Sequence, residues 1–204
     1  MASSSDSLLL IFVKHPIPGQ VKTRLAAGTS HEFALKAYHA MLSYTAEIVE
    51  EVAADKVVFY GNIVPEEDLW KKAGYKRFLQ EGADLGVRMA KAFQWGFQQG
   101  YKNIQIIGSD NPHLTSEIIQ EGFSILDRNT VSLGPAEDGG YYLLGMNTFI
   151  PSVFENKNWS TETVFQDTLA DLEKAKASHG ILPTLSDVDT VADIKGTFLE
   201  KLLP

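Results

Sequence analysis

Residues 8–13 read Leu-Leu-Leu-Ile-Phe-Val, six apolar side chains without interruption. A run of this length stopped by turn residues predicts a fully buried strand. What stops it is Lys14-His15-Pro16-Ile17-Pro18-Gly19, where two prolines and a glycine force an irregular path. The chain then offers Lys22 and Arg24 where a helix could begin. No acidic residue stands between Asp6 and Glu32, although the protein carries 26 acidic against 18 basic side chains. A cationic island at the end of a buried strand, where open α/β sheets bind ligands, points to an anionic ligand. The alternative is that Lys22 and Arg24 are solvated residues of a first turn. A phosphate-cradling P-loop is a poor match, because that motif has Gly directly before its Lys and Val21 stands there.

The rest of the chain bounds the answer. At 204 residues and 44% hydrophobic, it suffices for one sizeable core and is short for two. One domain over 1–204 is expected, with residues 1–7 disordered. A net charge of −8 argues against a nucleic-acid partner, which needs a broad basic face. The absence of cysteine excludes disulfides and thiolate metal sites and suits a reducing cytoplasm. Met1 to Asp6 lacks the basic start of a signal peptide, and no apolar run reaches the roughly 20 residues of a membrane span.

Helical spacing of apolar residues marks 32–54, and a strand follows at 56–60. A weaker helix is expected at 66–73 and a brief strand at 78–80. Asp84 caps a helix to about 99, a strand spans 104–108, and Thr115 caps a helix to about 126. Strands follow at 131–134 and 141–146. Ser160 or Thr161 opens a helix to about 178 that ends at His179-Gly180, and 181–185 is the last strand. Thr190 with Asp193 resembles a capping box that starts a final helix. This alternation predicts an α/β layered fold with a mostly parallel sheet.

Asp110 directly follows the 104–108 strand, which puts it at the carboxyl edge of the sheet. Carboxylate oxygens there suit Mg²⁺ or Mn²⁺ bridging to phosphate; an Asx-turn before Asn111-Pro112 is the alternative. Glu137-Asp138-Gly139-Gly140 is either a site for close ligand approach or an ordinary tight turn. In Asp187-Val188-Asp189-Thr190 one acid can point to the sheet edge while Thr190 caps the final helix. The five histidines are scattered, and His113 alone lies near Asp110.

These residues carry a resemblance over nearly the whole chain. The motifs are Lys-x-Pro-x-Pro-Gly-x-x-Lys-Thr-Arg-Leu at Lys14 to Leu25, Gly-Ala-Asp-Leu-Gly-x-Arg at Gly82 to Arg88, and Gly-Ser-Asp-x-Pro-x-Leu at Gly108 to Leu114. Gly-Pro-Ala-Glu-Asp-Gly-Gly-Tyr-Tyr-Leu at Gly134 to Leu143, Trp-Ser-Thr-Glu at Trp159 to Glu162 and Asp-Val-Asp-Thr at Asp187 to Thr190 complete the set. Together they resemble the bacterial glycosyltransferase-like family of GT-A fold, named for its similarity to 2-phospho-lactate guanylyltransferase and molybdenum-cofactor guanylyltransferase. The resemblance implies a single-domain GT-A-like (nucleotide-diphospho-sugar transferase) three-layer sandwich with a mostly parallel central sheet.

It also implies roles. Nucleotide binding falls to Lys14, Gly19, Lys22 and Arg24 of the first loop and to Gly82, Asp84, Gly86 and Arg88 of the segment near the base. Asp110 matches the first metal carboxylate and Asp189 the second, so Asp110, Asp189 and Lys22 form the catalytic set, with Mg²⁺ or Mn²⁺ as cofactor. Read from the residues, Trp159 and Glu162, an aromatic face and a free carboxylate at a helix start, are assigned with Glu137, Asp138, Gly139 and Gly140 to the acceptor side; a hydrophobic staple and a first-turn acid favoured by the helix dipole are the alternative. Ser109-Asp110-Asn111 departs from the Asp-x-Asp of most GT-A glycosyltransferases, so the donor need not be a nucleotide sugar. The leading reading is metal-assisted group transfer from a nucleotide-activated donor to a small acceptor. Nucleotidyl transfer to a phosphorylated small molecule and nucleotide binding without turnover are the alternatives. Two carboxylates converging on one metal should repel in its absence, so neutralising either should leave the metal-free protein as stable or more so.

Overall fold

The computed structural model describes residues 5–203. Its centre is a seven-stranded sheet ordered β3-β2-β1-β4-β6-β5-β7, formed by β1 (Ser7–Val13), β2 (Asp55–Tyr60), β3 (Lys76–Leu79), β4 (Asn103–Ile107), β5 (Val131–Pro135), β6 (Tyr141–Met146) and β7 (His179–Ile181). β1, β2, β3 and β4 pair in parallel, as do β5 and β7, while β6 runs antiparallel between β4 and β5. The expected mostly parallel sheet is present.

The unbroken apolar run follows from cover on both faces. Leu9, Ile11 and Val13 pack into one layer with α2 (His31–Glu50) and α5 (Ser116–Leu126). Leu8 and Leu10 point the other way, into a layer with α4 (Leu85–Gln98) and α6 (Val164–Lys174). Leu8 through Ile11 are each fully buried, worth about 1.5–3 kcal/mol per side chain. Two short helices, α1 (Thr23–Gly28) and α3 (Leu69–Lys72), complete the set.

Several expected boundaries move. Residues 1–4 lie outside the described residues, and Ser7 already belongs to β1. α3 begins only at Leu69, because Asp68 accepts from the Lys71 N–H and pairs with Arg77 at 3.1 Å. α6 starts at Val164 rather than at Ser160 or Thr161. Thr161 Oγ1 donates to the Asn158 carbonyl, and the Phe165 N–H is committed to Gly139 O at 2.8 Å. It stops early at a left-handed Lys176 (φ 53°), and His179-Gly180, expected to end the helix, instead open β7 against Val131 and Ser132. The final helix is two 3₁₀ turns, Ala192–Ile194 and Phe198–Leu202, parted by Gly196 at φ 78°. The anticipated Asp84 and Thr115 caps are both made, to the N–H groups of Val87 and Ile118.

Candidate active site

The strand order reverses beside β1: the chain runs outward from β1 to β2 and β3, then crosses back through α4 to β4 on the other side of β1. Crevices at the carboxyl ends of strands flanking such a reversal are the ligand sites of open sheets. A cleft of about 600 Å³ lies there.

Its floor is the loop after β1, fixed at two points. The Tyr38 hydroxyl of α2 accepts from the Lys14 N–H at 2.9 Å and lies 3.3 Å from Ser109 Oγ. Asn62, just past β2, accepts from the His15 N–H at 2.7 Å and donates to its carbonyl at 3.0 Å. Val21 is buried, so the chain enters α1 with Lys22 turned inward. Lys22 adopts φ 46°, ψ 48°, a left-handed conformation uncommon for a residue with a Cβ.

The Lys22 ammonium is the centre of the charge arrangement. Its side chain is 6% exposed and its Nζ stands 2.9 Å from Asp110 Oδ2 and 3.6 Å from Asp189 Oδ1. Asp110 and Asp189 keep 44% and 40% of their side chains open. Arg24, 73% exposed, reaches the other Asp189 oxygen at 3.0 Å. Burial alone would lower the Lys22 pKa, but Asp110, by charge and hydrogen bond, and then Asp189 and Asp187 raise it above its ordinary value. Burial would raise Asp110, yet the Lys22 charge and hydrogen bond hold it below the usual carboxylate range. The repulsion expected between Asp110 and Asp189 is thus offset by an internal cation.

The loop carrying Asp189 is tied to the loop carrying Asp110. The Val188 N–H donates to the Asp110 carbonyl at 3.2 Å, and Asn111 Nδ2 donates to Asp187 Oδ1 at 2.8 Å. Asp193 Oδ2 accepts from the N–H groups of Asp189 and Thr190 and from the Thr190 hydroxyl, at 2.6–3.0 Å. The capping-box reading of Thr190 and Asp193 holds for one of its two bonds: Asp193 accepts from the Thr190 N–H, but the Thr190 hydroxyl donates to Asp193 instead of accepting from its N–H, and the single 3₁₀ turn that follows has Val191 at its N-cap with no side-chain cap. Asp187, which the sequence offers only as one of two acids able to reach the sheet edge, stands beside Asp110 and Asn111 together with Asp189. Burial first, then the Asp110 charge, push its carboxyl up to about 7. The available signal was the alternation Asp187-Val188-Asp189, in which the central Val188 is fully buried.

Of the residues anticipated from sequence, Lys14, Lys22, Arg24, Arg88, Asp110 and Asp189 border the cleft. Gly19, Gly82, Asp84 and Gly86 do not line it. Gly82 O accepts from Arg88 Nε at 3.0 Å, and Asp84 caps α4. Glu137 to Gly140 form the β5–β6 hairpin turn, closed by Ala136 N–H to Gly140 O at 3.0 Å, with Gly139 at φ 86° and a Cβ there only 2.1 Å from the Glu162 carbonyl oxygen. Trp159 lies against Gly86, where an added Cβ would fall 2.4 Å from the indole nitrogen. None of the six acceptor-side residues borders the cleft, whereas Ser160 beside Trp159 does. His113 is exposed and off the cleft.

Asp110 and Asp189 fit a hard divalent ion by donor type, since two carboxylates already converge on a cation. Among the described residues no trio of His, Cys, Asp or Glu side chains is grouped as a metal site. Two carboxylates completed by substrate phosphates are the usual provision for Mg²⁺.

Residues 44–161 match the family described as "Uncharacterized protein conserved in bacteria (DUF2064)". The chain belongs to that family. It is 31% identical to a protein of Desulfovibrio desulfuricans G20 described as a "putative nucleotide-diphospho-sugar transferase", over 97% of this chain and 94% of that one, with a TM-score of 0.87. Two more distant structures share the fold. The inositol-1-phosphate CTP transferase of T. maritima is 12% identical over 99% and 96% of the two chains (TM-score 0.58). Rv0371c of Mycobacterium tuberculosis H37Rv, solved in complex with manganese, is 12% identical over 93% and 96% (TM-score 0.52). No curated protein sequence matches the chain. The family member is therefore a nucleotide-diphospho-sugar transferase fold, as the motifs implied.

Proposed function

We propose that this DUF2064 protein works as a single-domain, divalent-metal-assisted transferase that moves a group from a nucleotide-activated donor to a small acceptor. The observation that carries the reading is the convergence of Lys22, Arg24, Asp110 and Asp189 on one cleft at the reversal of strand order. The D. desulfuricans relative's description and the bound manganese of Rv0371c agree with it.

In this reading Asp110 and Asp189 hold Mg²⁺ or Mn²⁺, which supplies charge neutralisation at the donor's diphosphate. Lys22 and Arg24 pair with phosphate oxygens, and Lys14 and Arg88 add positive potential at the mouth. The Tyr38 and Asn62 contacts keep the loop in place, so little ordering is left for the ligand to impose. The donor's base lies toward Arg88 and the start of α4, and the acceptor enters past Ser160, which the Trp159 contact with Gly86 positions. The cysteine-free composition suits a cytoplasmic enzyme, and no described helix is long and apolar enough to cross a membrane.

The test is substrate depletion, followed by mass spectrometry, against nucleotide sugars and nucleoside triphosphates with phosphorylated and hydroxylated acceptors. Turnover of a nucleotide sugar supports glycosyl transfer, and release of pyrophosphate supports nucleotidyl transfer. Binding without turnover across the panel makes the protein a nucleotide sensor. For the nucleotide found, Lys22→Ala and Arg24→Ala should each weaken binding roughly 10- to 150-fold, as expected for charge-assisted contacts. Unchanged affinity in both variants by calorimetry removes the loop from the site.

A further inference from the structure

Lys22 joins three properties. It is almost fully buried, its backbone is held in the left-handed region, and its ammonium is already committed to Asp110 and Asp189. Both carboxylates remain open to the cleft on their other sides. A divalent ion bound to that pair would meet the ammonium at close range, and like charges at such distances repel. The position between the two aspartates accommodates one cation.

We propose that Lys22 is an exchangeable internal cation: its ammonium fills the divalent-ion position between Asp110 and Asp189 in the nucleotide-free protein, and gives it up for phosphate oxygens when metal and nucleotide enter together. The inference rests on the reading of Asp110 and Asp189 as the metal-holding pair. Buried Val21 and Leu25 pin the backbone on either side, so the exchange falls to the flexible four-carbon side chain, which borders the cleft. Metal alone must compete with a tethered ammonium and binds weakly. Nucleotide offers that ammonium another partner and so raises metal affinity, and by linkage metal raises nucleotide affinity by the same factor.

Calorimetric titration of Mn²⁺ without nucleotide tests this on wild type, Lys22→Met, Lys22→Arg and Lys14→Met. Lys22→Met should bind Mn²⁺ roughly 10- to 150-fold tighter, the weight of losing one charge-assisted competitor. Lys22→Arg keeps a cation in place and should stay near wild type. Lys14→Met removes an equal charge from the same mouth without vacating the position, and should change affinity less than Lys22→Met. Equal Mn²⁺ affinity in wild type and Lys22→Met, or an equal gain in Lys14→Met, overturns the exchange while leaving the metal pair standing. Absence of Mn²⁺ binding in every protein, with or without nucleoside triphosphate, overturns both. A measurement on the wild-type chain covers a variant that fails to fold. Reductive methylation mapped by peptide mass spectrometry should find Lys22 shielded in the free protein and increasingly labelled as Mn²⁺ is titrated in, and unchanged labelling at saturating Mn²⁺ overturns the proposal.

Discussion

Asp187→Asn should stabilise the metal-free protein, and only above about pH 4. The Asp187 carboxyl, ordinarily near 3.8, is pushed up to about 7 by burial and by the neighbouring Asp110 charge. Well below pH 3.8 it is protonated in both folded and unfolded chains and contributes nothing. As pH rises from 4 to 7 the unfolded chain releases this proton and the folded chain keeps it, so stability falls with pH. Above 7 the cost is complete, with an upper bound of about 4 kcal/mol. Rearrangement of the Lys22 and Asp110 pair lowers that to about 1–3 kcal/mol. The pKa of Asp110 is lowered, so its own contribution is lost only as pH falls below the usual carboxylate range and does not overlap this window. Asparagine cannot ionise, yet its Oδ1 can still accept from Asn111 Nδ2. Thermal melts in chelator should therefore coincide near pH 4 and separate by about 2–12 °C in favour of the variant at pH 8, given about 2–4 °C per kcal/mol at this chain length. A variant whose difference from wild type is constant across that range, or which melts lower at pH 8, refutes the reasoning.

The same contacts set two further outcomes. Asp110→Asn takes the nearest anion from a buried ammonium and should destabilise the metal-free protein by about 1–3 kcal/mol, discounted for the open side of Asp110; Asp189→Asn, whose carboxylate stands farther from Lys22, should cost less, and denaturant midpoints rank the two. Gly86→Ala should cost about 1–3 kcal/mol by overpacking against the Trp159 indole, and adding Trp159→Ala should recover part of that loss in a double-mutant cycle, whereas simple additivity would show that the two do not press on each other.

What could be read from the sequence was set by local physics. β1 was legible because burial on both faces leaves an unbroken apolar run, and the Asp84 and Thr115 caps because a cap is a contact within four residues. α6 was over-extended for the complementary reason. Ser160 and Thr161 read as helix-opening residues, but the Phe165 N–H is taken by Gly139 in the distant β5–β6 hairpin, and no local pattern encodes that choice. The same applies to His179-Gly180, which reads as a helix stop and becomes an edge strand through pairing with β5.

At the site, residue types and their strand-end positions picked out charged groups that line the cleft but not how they pair. Asp110 and Asp189 were legible as acids at one sheet edge, and their isolated pairing implies repulsion. Lys22 was legible as a cation on the first loop and was assigned to phosphate. Only the left-handed turn at Lys22, imposed between buried Val21 and Leu25, brings the ammonium inward among the carboxylates instead of outward to solvent. One backbone conformation thus converts a destabilising acid pair into an ion cluster, and it reverses the expected effect of Asp110→Asn on stability. Neutralising an acid relieves strain where acids face each other, and creates an unpartnered buried charge where a lysine stands between them.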